Sequence, residues 1–208
     1  MPEILLVYVA RHGQTELNAA GAFRGNRDVP LDRIGHKQAD DLADYFADIP
    51  ISGIVSSSKL RARETAAAIA GKTGLTPHPT DALHAWDVGM FSGKPKNRQN
   101  CDKLECYIQN PDEVIPGGES LNEFKQRVRP CIIEAIDLAN HAGKPLLLVG
   151  HSSIIHETGS LINGDHNTSL VEPGGVVGIF ESNGGLVARP VLKGIKVWRQ
   201  SSRADTIS

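Results

Sequence analysis

The chain has 208 residues, 40% hydrophobic and 22% charged, with a formal net charge of -2 at pH 7. This is enough for one substantial core in an ordinary globular composition, and the near-neutral balance argues against nucleic acid or anionic membrane as partner. No apolar run reaches the roughly 18–20 residues of a membrane span; the start Met1-Pro2-Glu3 lacks a basic signal region, and Cys101, Cys106 and Cys131 lack metal-type spacing, so a reduced, cytoplasmic protein is expected.

The apolar run from Ile4 to Ala10 reads as a buried strand that ends in Arg11-His12-Gly13. Ligands of open α/β sheets bind at the carboxyl ends of strands, where this triplet falls. A helix follows over Ala39, Leu42, Ala43 and Phe46, ended by Pro50. The short strand Gly53 to Ser56 leads into a helix carrying Ala62, Ala66, Ile69 and Ala70. A serine at 57 or 58 is placed to cap that helix, and Gly71 or Gly74 to stop it.

Residues 93 to 118 are polar and turn-rich, and read as a surface excursion that covers or borders a site. A long helix from about Ser120 puts Leu121, Phe124, Val128, Cys131, Ile132 and Ala135 on one face, with Pro130 costing a bond or a kink. A second apolar strand, Pro145 to Val149, ends in Gly150-His151-Ser152-Ser153. A helix over about Ile154 to Ile162 and two strands joined at Asn183-Gly184-Gly185 complete the order. The prediction is an α/β fold, a three-layer α/β/α sandwich with a mostly parallel central sheet and an antiparallel edge strand. Residues 1–198 are expected to form one catalytic domain and 199–208 a polar tail; an oligomer is possible.

Two histidines at strand ends suggest one site. Phosphoryl transfer needs an in-line nucleophile and positive charge around the equatorial oxygens, and arginine binds phosphate with two parallel donors. Neighbouring guanidinium groups disfavour protonation of His12 and so keep it nucleophilic. Arg11, Arg61 and His151 can hold the anion.

The series Arg11-His12-Gly13-Gln14-Thr15-Glu16-Leu17-Asn18, Phe23-Arg24-Gly25, Ser58-Lys59-Leu60-Arg61-Ala62-Arg63-Glu64-Thr65, Gly117-Gly118-Glu119-Ser120 and Val149-Gly150-His151 resembles the histidine phosphatase superfamily, in its phosphoglycerate mutase-like branch. The resemblance covers nearly the whole chain. It implies transient phosphorylation of His12, with Arg11, Arg61 and His151 around the phosphoryl group and Asn18 and Arg24 lining the pocket. Ser152, beside His151, is also assigned to substrate binding. No metal or cofactor is implied, because arginines and a histidine supply the charge.

The family pattern L-x-E-x-x-x-G-x-W-x-G aligns with Leu83 to Gly93, and its acidic position holds Ala85. Asp87, two residues on and on the same face of an extended segment, is the expected substitute acid. Glu119 is read either as a cap of the long helix or as a substrate contact, and His84 as a further candidate for protonating the leaving group.

The leading expectation is a phosphatase acting on a small phosphomonoester. Alternatives are a phosphoglycerate mutase-type isomerase, for which residues 93 to 118 form a short lid, and a phosphate-binding protein with weak or no turnover. A serine hydrolase using Ser152 would need glycine where Ile154 stands.

Overall fold

Alternation along β1 (Ile4–Arg11) sets the layering. In the computed structural model, which describes residues 3–164 and 171–194, Val7 and Val9 enter one core while Tyr8 and Ala10 enter another. Successive strand side chains point to opposite faces, so a run that is apolar throughout needs cover on both. On one side lie α2 (Arg33–Phe46) and α3 (Leu60–Thr73), contributing Leu42, Phe46, Ala66 and Ile69. On the other lie α5 (Leu121–Ala142) and α6 (Ser152–Asn163), contributing Phe124, Val128, Ile132 and Ile154. β4 (Leu146–Gly150) divides in the same way, Leu146 and Leu148 from Leu147 and Val149.

The six strands lie in the order β3-β2-β4-β1-β5-β6. β2 (Gly53–Ser57) and β3 (Pro77–Thr80) are parallel to β4 and β1, whereas β5 (Val176–Ser182) runs against β1 and pairs with the edge strand β6 (Gly185–Leu192). This is the expected three-layer sandwich. Asn183 and Gly184 turn the final hairpin at φ 50° and 79°, as a primed two-residue turn requires.

Several local expectations change. β3 falls in a stretch whose two prolines, Pro77 and Pro79, cannot donate to a ladder, and it is accommodated at a sheet edge. α3 takes no serine cap: its N-cap is Lys59, and the Leu60 amide donates to Asp28 Oδ1 at 2.7 Å. The excursion contains α4 (Arg98–Gln109), capped by Asn97, and a one-turn helix, α1 (Glu16–Ala19), follows the first motif. α5 runs through Pro130 as one element behind a Ser120–Glu123 capping box. The expected tail, 199–208, and the end of the expected domain from 195 lie outside the described residues.

Candidate active site

β1 and β4 are parallel neighbours in the register Arg11 to Gly150, and the His12 amide donates to the Gly150 carbonyl at 2.9 Å. The two strand tips therefore converge. The rings of His12 and His151 lie 5.2 Å apart between centroids. A Cβ on Gly13 would sit 2.3 Å from the Gly35 carbonyl oxygen, so only glycine allows the loop to press against the start of α2. The Gly13 amide also donates to Thr65 Oγ1 at 3.2 Å, and Thr65 donates to the Arg61 carbonyl one turn earlier in α3 at 2.8 Å. That link fixes Arg61 against His12.

His12 Nδ1 lies 2.6 Å from the Gly13 carbonyl oxygen. A carbonyl can only accept, so the proton sits on Nδ1 and Nε2 holds the lone pair. Arg61 Nε donates to that lone pair at 3.3 Å. Burial, reinforced by Arg61, Arg24 and Arg11, holds His12 well below the usual imidazole range, and burial with Arg61 and His12 does the same to His151. Burial and the neighbouring Arg11 and Arg61 push Arg24 down to about 9. Arg61 is pushed down to about 10 by burial, against the pull of Asp28.

Arg11 Nε and His151 Nδ1 are buried and have no hydrogen-bond partner among the described residues. Arg11 is otherwise anchored to the Val171 carbonyl at 2.7 Å, and His151 Nε2 to Ser57 Oγ at 2.9 Å. Buried guanidinium groups that disfavour one another are complemented by an anion. The N-terminus of α6 opens toward the same place, with Ser152 and Ser153 in the lining of a cavity of about 190 Å³. Arg24, Arg61 and His151 line it as well, and Lys96 adds a cation from the excursion.

These shifts have a pH consequence. The folded pKa of each buried imidazole lies below its unfolded value near 6.5, so the unfolded chain binds protons first as the pH falls. Stability is expected to drop below pH 6.5 by up to about 1.4 kcal/mol per pH unit for each ring. Thermal melts from pH 7 to 5 check this, and a His12→Gln/His151→Gln variant should show the flatter profile.

The remaining expected residues divide. Asn18 Oδ1 closes a capping box with Thr15, accepting from its amide at 3.1 Å, which leaves its amino end to offer. Asp87 lies outside the cavity lining, and its Oδ1 accepts from the Gly89 amide at 3.1 Å, a turn-capping arrangement. One oxygen of the expected substitute acid is thus engaged in the turn. Ala85 does line the cavity, and among the described residues no carboxylate lines it. His84 Nε2 is held by Ser58 Oγ at 2.6 Å and Asp81 at 3.1 Å.

Sequence reading missed the brace behind this loop. Arg127 donates to the carbonyls of Ala82 at 2.9 Å and His84 at 3.1 Å, and to Glu119 Oε1 at 2.6 Å. Glu119 Oε1 in turn accepts from the Asp87 amide at 3.0 Å, so Glu119 positions the loop, while Ser120 caps the helix. Arg127→Ala leaves a half-buried carboxylate and several carbonyls unpaired, and is expected to cost about 2 kcal/mol in chemical denaturation.

An α/β/α sandwich with a cation-lined cavity at two adjacent parallel strand tips is the class of protein this geometry defines. The profile of the histidine phosphatase superfamily (branch 1) matches residues 7–170, and the chain belongs to that family. It is 33% identical over 156 residues to a 2,3-bisphosphoglycerate-dependent phosphoglycerate mutase of Rhizobium etli, covering 71% of this chain and 75% of that one. Its fold is similar to mycobacterial glucosyl-3-phosphoglycerate phosphatase in complex with VO3, at a TM-score of 0.73 and 22% identity, covering 89% of this chain and 96% of that one. It is also similar to the alpha-ribazole phosphatase of Shigella flexneri, at a TM-score of 0.71 and 22% identity, covering 90% and 95%.

Proposed function

We propose that this chain is a phosphatase that hydrolyses a small phosphomonoester by way of a phosphohistidine on His12. The observation that carries the reading is the tautomer: Nδ1 is committed to the Gly13 carbonyl, so Nε2 presents its lone pair among three arginines. A bound phosphoryl dianion draws the Arg61 guanidinium onto its oxygens and off that lone pair. Nε2 attacks phosphorus, the ester bond breaks, and Arg11, Arg24, Arg61 and His151 stabilise the charge on the equatorial oxygens. Water then attacks the phosphohistidine and regenerates His12. Asn18 and Ser152 are the further substrate contacts in this reading.

The cavity's nitrogen donors repel a divalent cation and supply the charge that a metal would, which supports metal-independent turnover. Among the described residues no helix is long and apolar enough to cross a membrane; a cytoplasmic location belongs to the proposal.

The name of the Rhizobium etli relative favours a second reading, a mutase that returns the phosphoryl group to another hydroxyl. Ala85 stands in the lining where the family pattern has its acid, and among the described residues no carboxylate lines the cavity, so proton exchange with a sugar-acid hydroxyl must fall to another group. The test is to incubate the purified chain with 3-phosphoglycerate and with generic phosphomonoesters. Phosphate release that outpaces isomerisation is expected. Isomerisation outpacing release reverses the ranking, and binding of phosphate without either activity marks a binding protein.

A further inference from the structure

We propose that His156 is the proton donor to the leaving-group oxygen, standing where the phosphate cavity meets a second, mainly apolar cavity that takes the organic part of the ester. This rests on the phosphatase reading and supplies the acid it lacks.

His156 lies one turn beyond Ser152 and Ser153 on α6. Helical side chains lean toward the N-terminus, and positions three and four apart share a face, so its ring covers the turn that opens on the phosphate cavity. It lines that cavity, and also an adjoining cavity of about 520 Å³. The two share Trp86, Ser153 and His156. Ile108, Leu121 and Phe124 give the second cavity its apolar wall, while Glu157 in its lining is already paired with Arg129 at 2.6 Å. A phosphomonoester with phosphorus in the first cavity and an apolar alcohol in the second places its bridging oxygen at the shared boundary.

His151 is assigned to the phosphoryl oxygens, Asp87 lines neither cavity, and Glu105 lines the second cavity but not the first. Lys96 lies over the Phe23 ring, 5.4 Å from its centroid, as a cation for the anion. Imidazole is the side chain whose ordinary range suits proton exchange near neutrality.

In the first step the His12 Nε2–P bond forms and the P–O ester bond breaks. The departing oxygen takes the proton of the His156 imidazolium and leaves as an alcohol. In the second step neutral His156 takes a proton from water as its oxygen attacks phosphorus, and the P–N bond breaks. The balance closes on the ester, water, phosphate and alcohol.

The test is a leaving-group series on the full chain and on His156→Asn. Loss of the acid should lower kcat/KM for alkyl phosphates by about 10²–10³-fold. It should lower kcat/KM for p-nitrophenyl phosphate by less than about tenfold, because nitrophenolate leaves without a proton. Vanadate affinity should be unchanged and Asp87→Asn should not alter the leaving-group dependence. Equal effects of His156→Asn on both ester classes, no effect on either, or weakened vanadate binding would overturn the assignment. The wild type should also favour hexyl over methyl phosphate by at least about tenfold in kcat/KM, and equal values would remove the second cavity from the substrate site. Failure of the wild type to release phosphate from any ester sinks the phosphatase reading itself.

Discussion

His12→Ala is expected to lower phosphomonoester hydrolysis by on the order of 10⁴-fold or more while leaving anion binding in place. The nucleophile splits one displacement into two, and its removal leaves water to attack a phosphoryl group unaided. The arginines do not depend on His12 for their anchors: Arg11 is held by the Val171 carbonyl and Arg61 by the Arg27 carbonyl, both at 2.7 Å. Removing a ring that they hold unprotonated takes away no charge. Steady-state kinetics beside vanadate titration checks this, with kcat collapsing while vanadate affinity moves by less than about tenfold. A variant with substantial activity would show that phosphoryl transfer goes elsewhere.

Arg61→Lys carries the second large effect. Arg61 is completely buried and gives NH1 to the Arg27 carbonyl at 2.7 Å, while Nε on His12 Nε2 at 3.3 Å and NH2 on the Gly25 carbonyl at 3.4 Å make longer bonds and are the donors that can turn to an anion in the cavity Arg61 lines. Lysine keeps the charge but loses the paired, planar donors. Two charge-assisted bonds at about 1.5–3 kcal/mol each correspond to a loss of roughly 10²–10⁴-fold in kcat/KM. The conservative change separates chemistry from folding better than alanine would, since truncation also opens a void and abandons buried carbonyls. The melting temperature without ligand should change little, while stabilisation by phosphate should fall steeply. Unchanged stabilisation by phosphate would place the anion elsewhere.

The sheet was legible because its central strands are covered on both faces. Such strands read as unbroken apolar runs, and each of the two carries its polar cluster at the carboxyl end, so the sequence alone brings Arg11-His12 and His151 to one edge of the sheet. Pro77–Thr80 was not legible, because proline argues against a strand except at an edge, and edge position is a property of the whole sheet. The cap of α3 was misread for a related reason: local serines were at hand, but a carboxylate 32 positions away makes the bond.

Asp87 shows the same limit at the site. Two residues in an extended segment share a face, yet Ala85 lines the cavity while Asp87 does not, and Asp87 Oδ1 accepts from the Gly89 amide. Arg127, Thr65 and His156 act through long-range packing, and the only sequence signal for His156 was its place one turn beyond the second motif.

The central claim is tested most directly by rapid quench of the first turnover into denaturing base, followed by tryptic peptide mass spectrometry. One phosphoryl group, lost on acid treatment, is predicted on the peptide from His12 to Arg24, within which His12 is the sole histidine. Phosphate release with no such adduct, or an acid-stable adduct on Ser152, would contradict it.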